Sequence, residues 1–261
     1  MRCNLCLEDT ELQRESHIIP QFMYKRLKSD GGFFVKINKY TFREYSKGKS
    51  LKEHSTGEYD SNLLCANCDN KIFGQKYEDY SSKVYQFLDG EIESFMGIEI
   101  EPHTNEKGVK GKLIKNIDYT KFKLFLLSIL WRASLSKRPF FQEVSLGDKH
   151  EQILREMFLD ENPKELEDYP CFICNIGDDE PVLNQTMLPP RRIKENGNIS
   201  YMFMICGLVY RFTVSKYNRK IISEAGVIHP NNDMVIWQGP KNLGKTCLSE
   251  YRQFILKKSE A

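Results

Sequence analysis

The chain has 261 residues, which fits one large domain or two smaller ones. Its 40% hydrophobic and 28% charged composition is that of a soluble globular protein with a core of useful size, and it argues against a low-complexity or membrane-spanning chain. A net charge of +2 is too small to define partners, so any affinity for nucleic acid has to come from local clusters.

In chain order, Met1 and Arg2 run directly into a first pair, Cys3 and Cys6, with no apolar leader between. Pro20 suits the first turn of a short helix, QFMYKRLKS. GGFFVKINKYTFREYS reads as a strand pair, and KGKSLKEHSTGEYD as a polar loop. The second pair, Cys65 and Cys68, leads straight into DNKIFGQKYEDYSSKVYQFL, a helix with an apolar stripe of Ile72, Tyr77, Tyr80, Val84 and Phe87. A boundary is expected near residue 90.

Beyond it, Asp118 is placed to cap YTKFKLFLLSILWRASLSK, which stops before Pro139. Apolar residues cover most of its circumference, so the pattern predicts a buried central helix. Its run LFLLSILW is far shorter than the roughly 18–20 residues of a membrane span. Another helix is expected from about Asp148 to Asp160. The strands YPCFICNI, ISYMFMICGLVYRFTVS and NDMVIW follow, then a last helix from Cys247 to Lys257. With no leader and no span, the expected location is cytoplasmic. There, eight cysteines serve better as metal ligands or small core residues than as disulfides.

Two CxxC pairs are the strongest signal. Each turn presents two thiolates, and two turns complete a tetrahedral zinc site, so Cys3, Cys6, Cys65 and Cys68 are expected to hold structural Zn2+. The stretch between the pairs is far longer than the usual roughly 15–20 residues, and the helix and strand pair after Pro20 account for the excess. Knuckle, hairpin, knuckle, helix is the order of a treble clef. Cys171 and Cys174 also read CxxC, but they lie in an apolar strand where positions three apart face opposite sides, so both are expected to pack rather than chelate. Cys206, in another apolar run, is expected in the core.

The Cys3/Cys6 pair, SHIIP at Ser16 to Pro20, and NLLCANCDNK at Asn62 to Lys71 resemble the HNH nucleases of the His-Me finger or ββα-metal group. The resemblance covers roughly the first third of the chain. It implies a catalytic role for His17 as general base and for Asn62 in holding the loop, with Asp60 as the alternative. It also implies Asp69 as a ligand of a catalytic Mg2+ or Mn2+, a carboxylate being suited to such hard cations. One position departs from the family: Ser16 stands where a metal-ligating Asp, Glu or His is usual. A serine hydroxyl is a poor ligand, so Glu15, Asp60, Asp69 and Glu78 are the alternatives for rebuilding the site.

Between Pro20 and Lys52 basic residues dominate, including Lys25, Arg26, Lys28, Lys36, Lys39 and Arg43, interleaved with aromatics. Such a surface can hold phosphates and stack bases. His54, within the polar loop, is expected to be solvated. Near the end, GPKNLGKT (Gly239 to Thr246) matches the phosphate-binding loop pattern. Too little chain follows to supply the parallel strand that such a domain needs, so it is expected to be a turn.

Together these readings give an α+β protein. Residues 1–90 form a zinc-stapled treble clef (ββα-metal) nuclease domain. Residues 91–261 form a larger mixed α+β accessory region for target choice, oligomerisation or a protein partner. The expected activity is metal-dependent hydrolysis of nucleic-acid phosphodiesters, DNA foremost, in phage defence or a mobile element. The alternative is a non-catalytic zinc module that binds nucleic acid or a protein partner.

Overall fold

A computed structural model describes residues 1–25, 34–36, 53–54, 57–176, 183–184, 186–195, 197–214, 227–240, 242–244, 246 and 249. It is a mixed α+β structure. A two-stranded sheet near the N-terminus pairs β1 (Ser16–His17) with β4 (Tyr59–Asp60). The main sheet has seven long strands: β5 (Glu99–Thr104), β6 (Lys110–Lys115), β7 (Cys171–Asn175), β8 (Thr186–Glu195), β9 (Asn198–Ile205), β10 (Leu208–Thr213) and β11 (Met234–Gln238). Two short strands, β2 (Phe34–Lys36) and β3 (Glu53–His54), extend one edge. The order across the sheet is β3-β2-β8-β9-β10-β7-β11-β6-β5. All neighbours run antiparallel except β2 with β8 and β11 with β7. His54 therefore pairs opposite Phe34 in a strand rather than standing in a loop.

The sheet corrects the sequence reading at one place and adds strands at two others that it left unassigned. The run ISYMFMICGLVYRFTVS is not one strand but a hairpin, β9 and β10, closed by Cys206 and Gly207, both at positive φ (53° and 71°). Two left-handed residues give the twist that matches a tight hairpin. Cys206 stays buried, and its Sγ donates to the Met23 carbonyl at 3.1 Å. The second place is β8, whose Pro189 and Pro190 speak against a strand. The pairing jumps from Leu188↔Met204 to Arg191↔Met202, so the prolines occupy an irregularity where no ladder amide is needed. The third is β5 with β6, a half-exposed hairpin whose polar faces carry little apolar signal.

The helices follow the sequence more closely. They are α1 (Gln21–Lys25), α2 (Asp79–Leu88), α3 (Tyr119–Leu135) and α4 (Asp148–Leu159). Asp118 caps α3, accepting from the Lys121 amide at 2.9 Å. Thirteen of its residues, from Tyr119 to Ala133, are buried, as a helix apolar all round requires. The helix expected after Cys68 begins differently. Asn67–Glu78 is a π-helix that runs on into α2, and the Asp79 amide bonds back five residues to the Gly74 carbonyl. The helix expected over Cys247–Lys257 lies outside the described residues apart from Ser249. Among the described residues, no helix is long and apolar enough to cross a membrane.

A single buried cluster draws on both sides of residue 90. Its centre is aromatic. Phe73 of the π-helix stacks edge-on against Phe158 of α4 (5.2 Å between centroids) and lies 5.9 Å from Trp131 of α3. Trp131 in turn meets Phe158 at 5.6 Å. Burial of each such ring contributes roughly 1.5–3 kcal/mol, and geometry of this kind adds about 0.5–1.5 kcal/mol per pair. Trp131 Nε1 and Tyr77 Oη are satisfied by the carbonyls of Glu151 and Phe158, so the rings cost no orphaned donor.

Candidate functional site

The first cysteine knuckle is shaped by its own backbone. A bridge between Arg2 and Asp9 closes it, Leu7 turns at φ 63°, and the Leu7 amide bonds to the Cys3 carbonyl at 2.9 Å. The second pair is carried alongside by a bridge from Leu12 to Cys65 and by the Gln13 amide on the Leu64 carbonyl at 2.8 Å. Asn4 Nδ2 adds a bond to the Leu63 carbonyl at 2.8 Å. From α4, Arg155 Nη1 donates to the Leu5 carbonyl at 2.9 Å.

These contacts bring the sulfurs of Cys3, Cys6, Cys65 and Cys68 within 4.8 Å of one another, close enough to bind a zinc ion. Tetrahedral zinc with bonds of about 2.3 Å sets its sulfurs about 3.8 Å apart. Cys6 and Cys65 are 4.0 Å apart, and the Cys65 amide donates to Cys3 Sγ at 3.3 Å. Burial raises the Cys3 thiol, but the amides of Cys65, Cys6 and Leu5 outweigh it and hold the group below its ordinary value. Burial and the three neighbouring thiols push Cys68 well up. Four thiols so placed cannot all ionise without a cation to compensate them, which is the chemistry a structural zinc supplies. Among the described residues, this is the one cluster of three or more metal-ligating side chains.

The β1–β4 pair is formed by segments that lie between the two cysteine pairs in the chain. Antiparallel pairing sets Ser16 opposite Asp60 and His17 opposite Tyr59, and the Ile18 amide continues it to the Glu58 carbonyl at 3.0 Å. Gly57 is needed just before: a Cβ there would come within 2.2 Å of the Tyr24 ring, whose hydroxyl holds the Glu58 amide at 2.7 Å. His17 is half-buried, with its ring 6.3 Å from that of Tyr59.

Ser16 is fully buried, and its Oγ donates to Asp69 Oδ2 at 3.0 Å. The residue that departs from the HNH pattern thus orients the carboxylate expected as a metal ligand. Burial pushes the Asp69 carboxyl above the usual range. The charge of Arg132, the Ser16 hydroxyl and His17 oppose that rise.

Arg132 belongs to α3 and is 1% exposed. Its Nη1 donates to the His17 carbonyl at 2.7 Å, and its Nη2 meets Ser128 Oγ at 3.1 Å and Glu78 Oε1 at 2.7 Å. Its Nε donates to the Ser128 carbonyl at 3.3 Å, and its guanidinium lies 5.1 Å from the Phe73 ring centre. The sequence reading passed over this residue. Its signal was a lone arginine inside the otherwise apolar run LFLLSILWRA, a charge that can be buried only with partners.

Of the alternative ligands, Asp60 and Glu78 already have partners and Glu15 is exposed. Asp60 accepts from Ser136 Oγ (2.9 Å), the Lys137 amide (3.0 Å) and the Ser61 amide (2.8 Å). Glu78 pairs with Arg132. Asn62 is an exposed left-handed residue (φ 63°) whose amide holds the Gln13 carbonyl at 3.0 Å and whose Nδ2 donates to Ser61 Oγ at 3.3 Å. The structure thus joins Ser16 to Asp69 directly, sets His17 near enough for its charge to act on that carboxyl, and leaves Asn62 exposed.

Of the expected nucleic-acid contacts, Lys25 ends α1 and Lys36 ends β2. Arg26, Lys28, Lys39 and Arg43 lie outside the described residues. Cys171 is buried and Cys174 half-buried on β7, and neither joins a metal cluster among the described residues. At Gly239, a Cβ would meet Ile176, Leu243 and the Asn175 carbonyl at 3.0–3.1 Å, so this glycine serves close packing against β7. Comparison with protein-family models, with curated proteins and with solved structures found no match to this chain.

Proposed function

We propose that the chain is a metal-dependent nuclease with an HNH-like centre at the β1–β4 hairpin, hydrolysing DNA phosphodiesters. The observation that carries this reading is the Ser16–Asp69 hydrogen bond, with His17 next to Ser16 on β1 and Asp69 directly after the last of the four clustered cysteines. The chain order of a cysteine pair, the β1–β4 pair, a second cysteine pair and a helix supports a treble-clef reading.

In this reading the sulfurs grip Zn2+ and hold the start of the π-helix, and Asp69 directly follows the last of them. His17, kept in register by Tyr59 and by Arg132 on its carbonyl, takes the proton from the attacking water as general base. Ser16 aims the Asp69 carboxylate, and Arg132 favours its ionised form. Mg2+ or Mn2+ bound at Asp69 would supply charge stabilisation for the phosphorane and the leaving oxygen.

Purified protein with Mg2+ or Mn2+ should nick supercoiled plasmid DNA. His17→Ala should abolish nicking while zinc content and thermal transition stay unchanged. Wild-type protein that never nicks, in the presence of bound zinc, sinks the proposal. A second reading is favoured by Ser16, whose buried hydroxyl replaces a ligand: a non-catalytic zinc module that binds nucleic acid or a protein partner. It predicts a gel shift of DNA with no cleavage and no effect of His17→Ala.

A further inference from the structure

Directly after α3 the chain is stitched to the His17 hairpin. Asp60 of β4 takes the Ser136 hydroxyl and the Lys137 amide, and Ser136 Oγ in turn accepts the Arg138 amide at 3.1 Å. Arg138 then crosses β4. Its Nε donates to the Tyr59 carbonyl at 2.7 Å, and its guanidinium carbon stands 4.9 Å from the Tyr59 ring centre. The His17 ring lies against that same tyrosine. Arg138 is half-buried, and among the described residues nothing partners its two Nη nitrogens.

The two arginines here differ in what their donors do. Every nitrogen of Arg132 is used inside the protein. Arg138 is fixed at one nitrogen and one face, and its two Nη nitrogens have no partner among the described residues. A guanidinium held in this way has lost most of its rotamer freedom beforehand. It matches the two oxygens of a phosphate in a bidentate fork. Lys137, next to it, is exposed and adds a second positive charge.

We propose that Arg138 binds a backbone phosphate of DNA beside the His17 centre, so that residues following the central helix supply part of the substrate grip. The location rests on the nuclease reading of that centre, whereas the phosphate contact itself does not require hydrolysis.

The test uses full-length protein carrying His17→Ala, so that the probe, a short fluorescein-labelled DNA duplex, stays intact. Anisotropy titrations across a salt series compare it with the double variants that add Arg138→Gln or Arg138→Lys. Loss of one phosphate contact should weaken binding about tenfold and lower the slope of log affinity against log salt by about one. The lysine variant should keep the slope, because its charge remains, with an intermediate affinity. A purely structural role for Arg138 would not change the slope selectively.

Unchanged affinity and slope in a folded, zinc-loaded Arg138→Gln protein overturn the assignment. Should that variant lose its thermal transition, Arg138→Lys decides: lower affinity at constant slope supports the fork, and unchanged affinity overturns it. The two proposals fail separately. If wild-type protein never nicks plasmid but the slope still drops, the hydrolysis reading falls and the phosphate site stands. Nicking with an unaltered slope gives the reverse.

Discussion

Replacing Lys123 by methionine removes a buried charge from α3. Lys123 lies in the first half of α3 and is 1% exposed. Its Nζ donates to Tyr119 Oη at 2.9 Å and to the Glu165 carbonyl at 2.8 Å. Burial pulls its pKa from 10.5 down to about 8, against the opposing pull of Cys171, Asp168, Glu165 and Glu167. Between those two values the unfolded chain carries a proton that the folded chain lacks. Stability from this group is therefore complete above the unfolded value, falls as pH drops through the window, and is level at its lowest below the folded value. At about 1.4 kcal/mol per pKa unit, the full penalty on the charged form is about 3 kcal/mol. From about pH 7.5 to about pH 9, roughly 1 kcal/mol of it is recovered.

Cys171 sets the upper limit of the useful range. Burial pushes its thiol from 9.0 up to about 12. A raised group acts with the opposite sign: its stabilisation is whole below the unfolded value and is lost as pH climbs toward the folded one. Urea unfolding of wild type and Lys123→Met at the two pH values isolates the lysine, because the thiols are common to both proteins. The variant leaves the Glu165 carbonyl short of a donor, at a cost of about 1 kcal/mol. It should still be more stable by about 1–2 kcal/mol at the lower pH, and its advantage should shrink by about 1 kcal/mol at the higher. A difference that does not move with pH refutes the reasoning.

Cys68→Ser should take zinc from one ion per chain to none by elemental analysis. Structural zinc contributes on the order of 10 kcal/mol in small modules, comparable with the whole stability of a domain. The N-terminal region should therefore lose its cooperative transition, and an unaltered transition would count against a structural role for the site. Arg132→Met strands Glu78 and frees the His17 carbonyl. It should cost about 3 kcal/mol in urea unfolding and speed amide exchange at Ile18 and Ile19, while a change under about 0.5 kcal/mol would contradict the role given to this residue.

What the sequence made legible was what it encodes locally. The Asp118 cap, the apolar run to Ala133 and the stop before Pro139 mark α3 by signals a few residues apart. The paired CxxC turns mark the sulfur cluster for the same reason. The hairpin at Cys206–Gly207 was hidden because a two-residue turn can be made of residues that read as strand. The strand through Pro189 was hidden because its irregularity is visible only against its partner, β9. Arg132 and Arg138 could not be assigned to the His17 centre from their own surroundings. They reach it across more than a hundred and about eighty residues of chain respectively, by contacts that exist only once the core has formed.

The π-helix over Asn67–Glu78 brings side chains four and five residues apart onto one side, where an α-helix does so at three and four. Cys68, Phe73 and Glu78 follow the longer interval: a sulfur for the cluster, a ring beneath a guanidinium, and a carboxylate upon it. Wound as an ordinary α-helix, each fifth residue would swing about 140° from the last. Shortening this segment by one residue would relax the winding and turn the carboxylate away from α3, even though every remaining side chain kept its identity. Evolutionary drift here should therefore exchange letters far more readily than it adds or drops them.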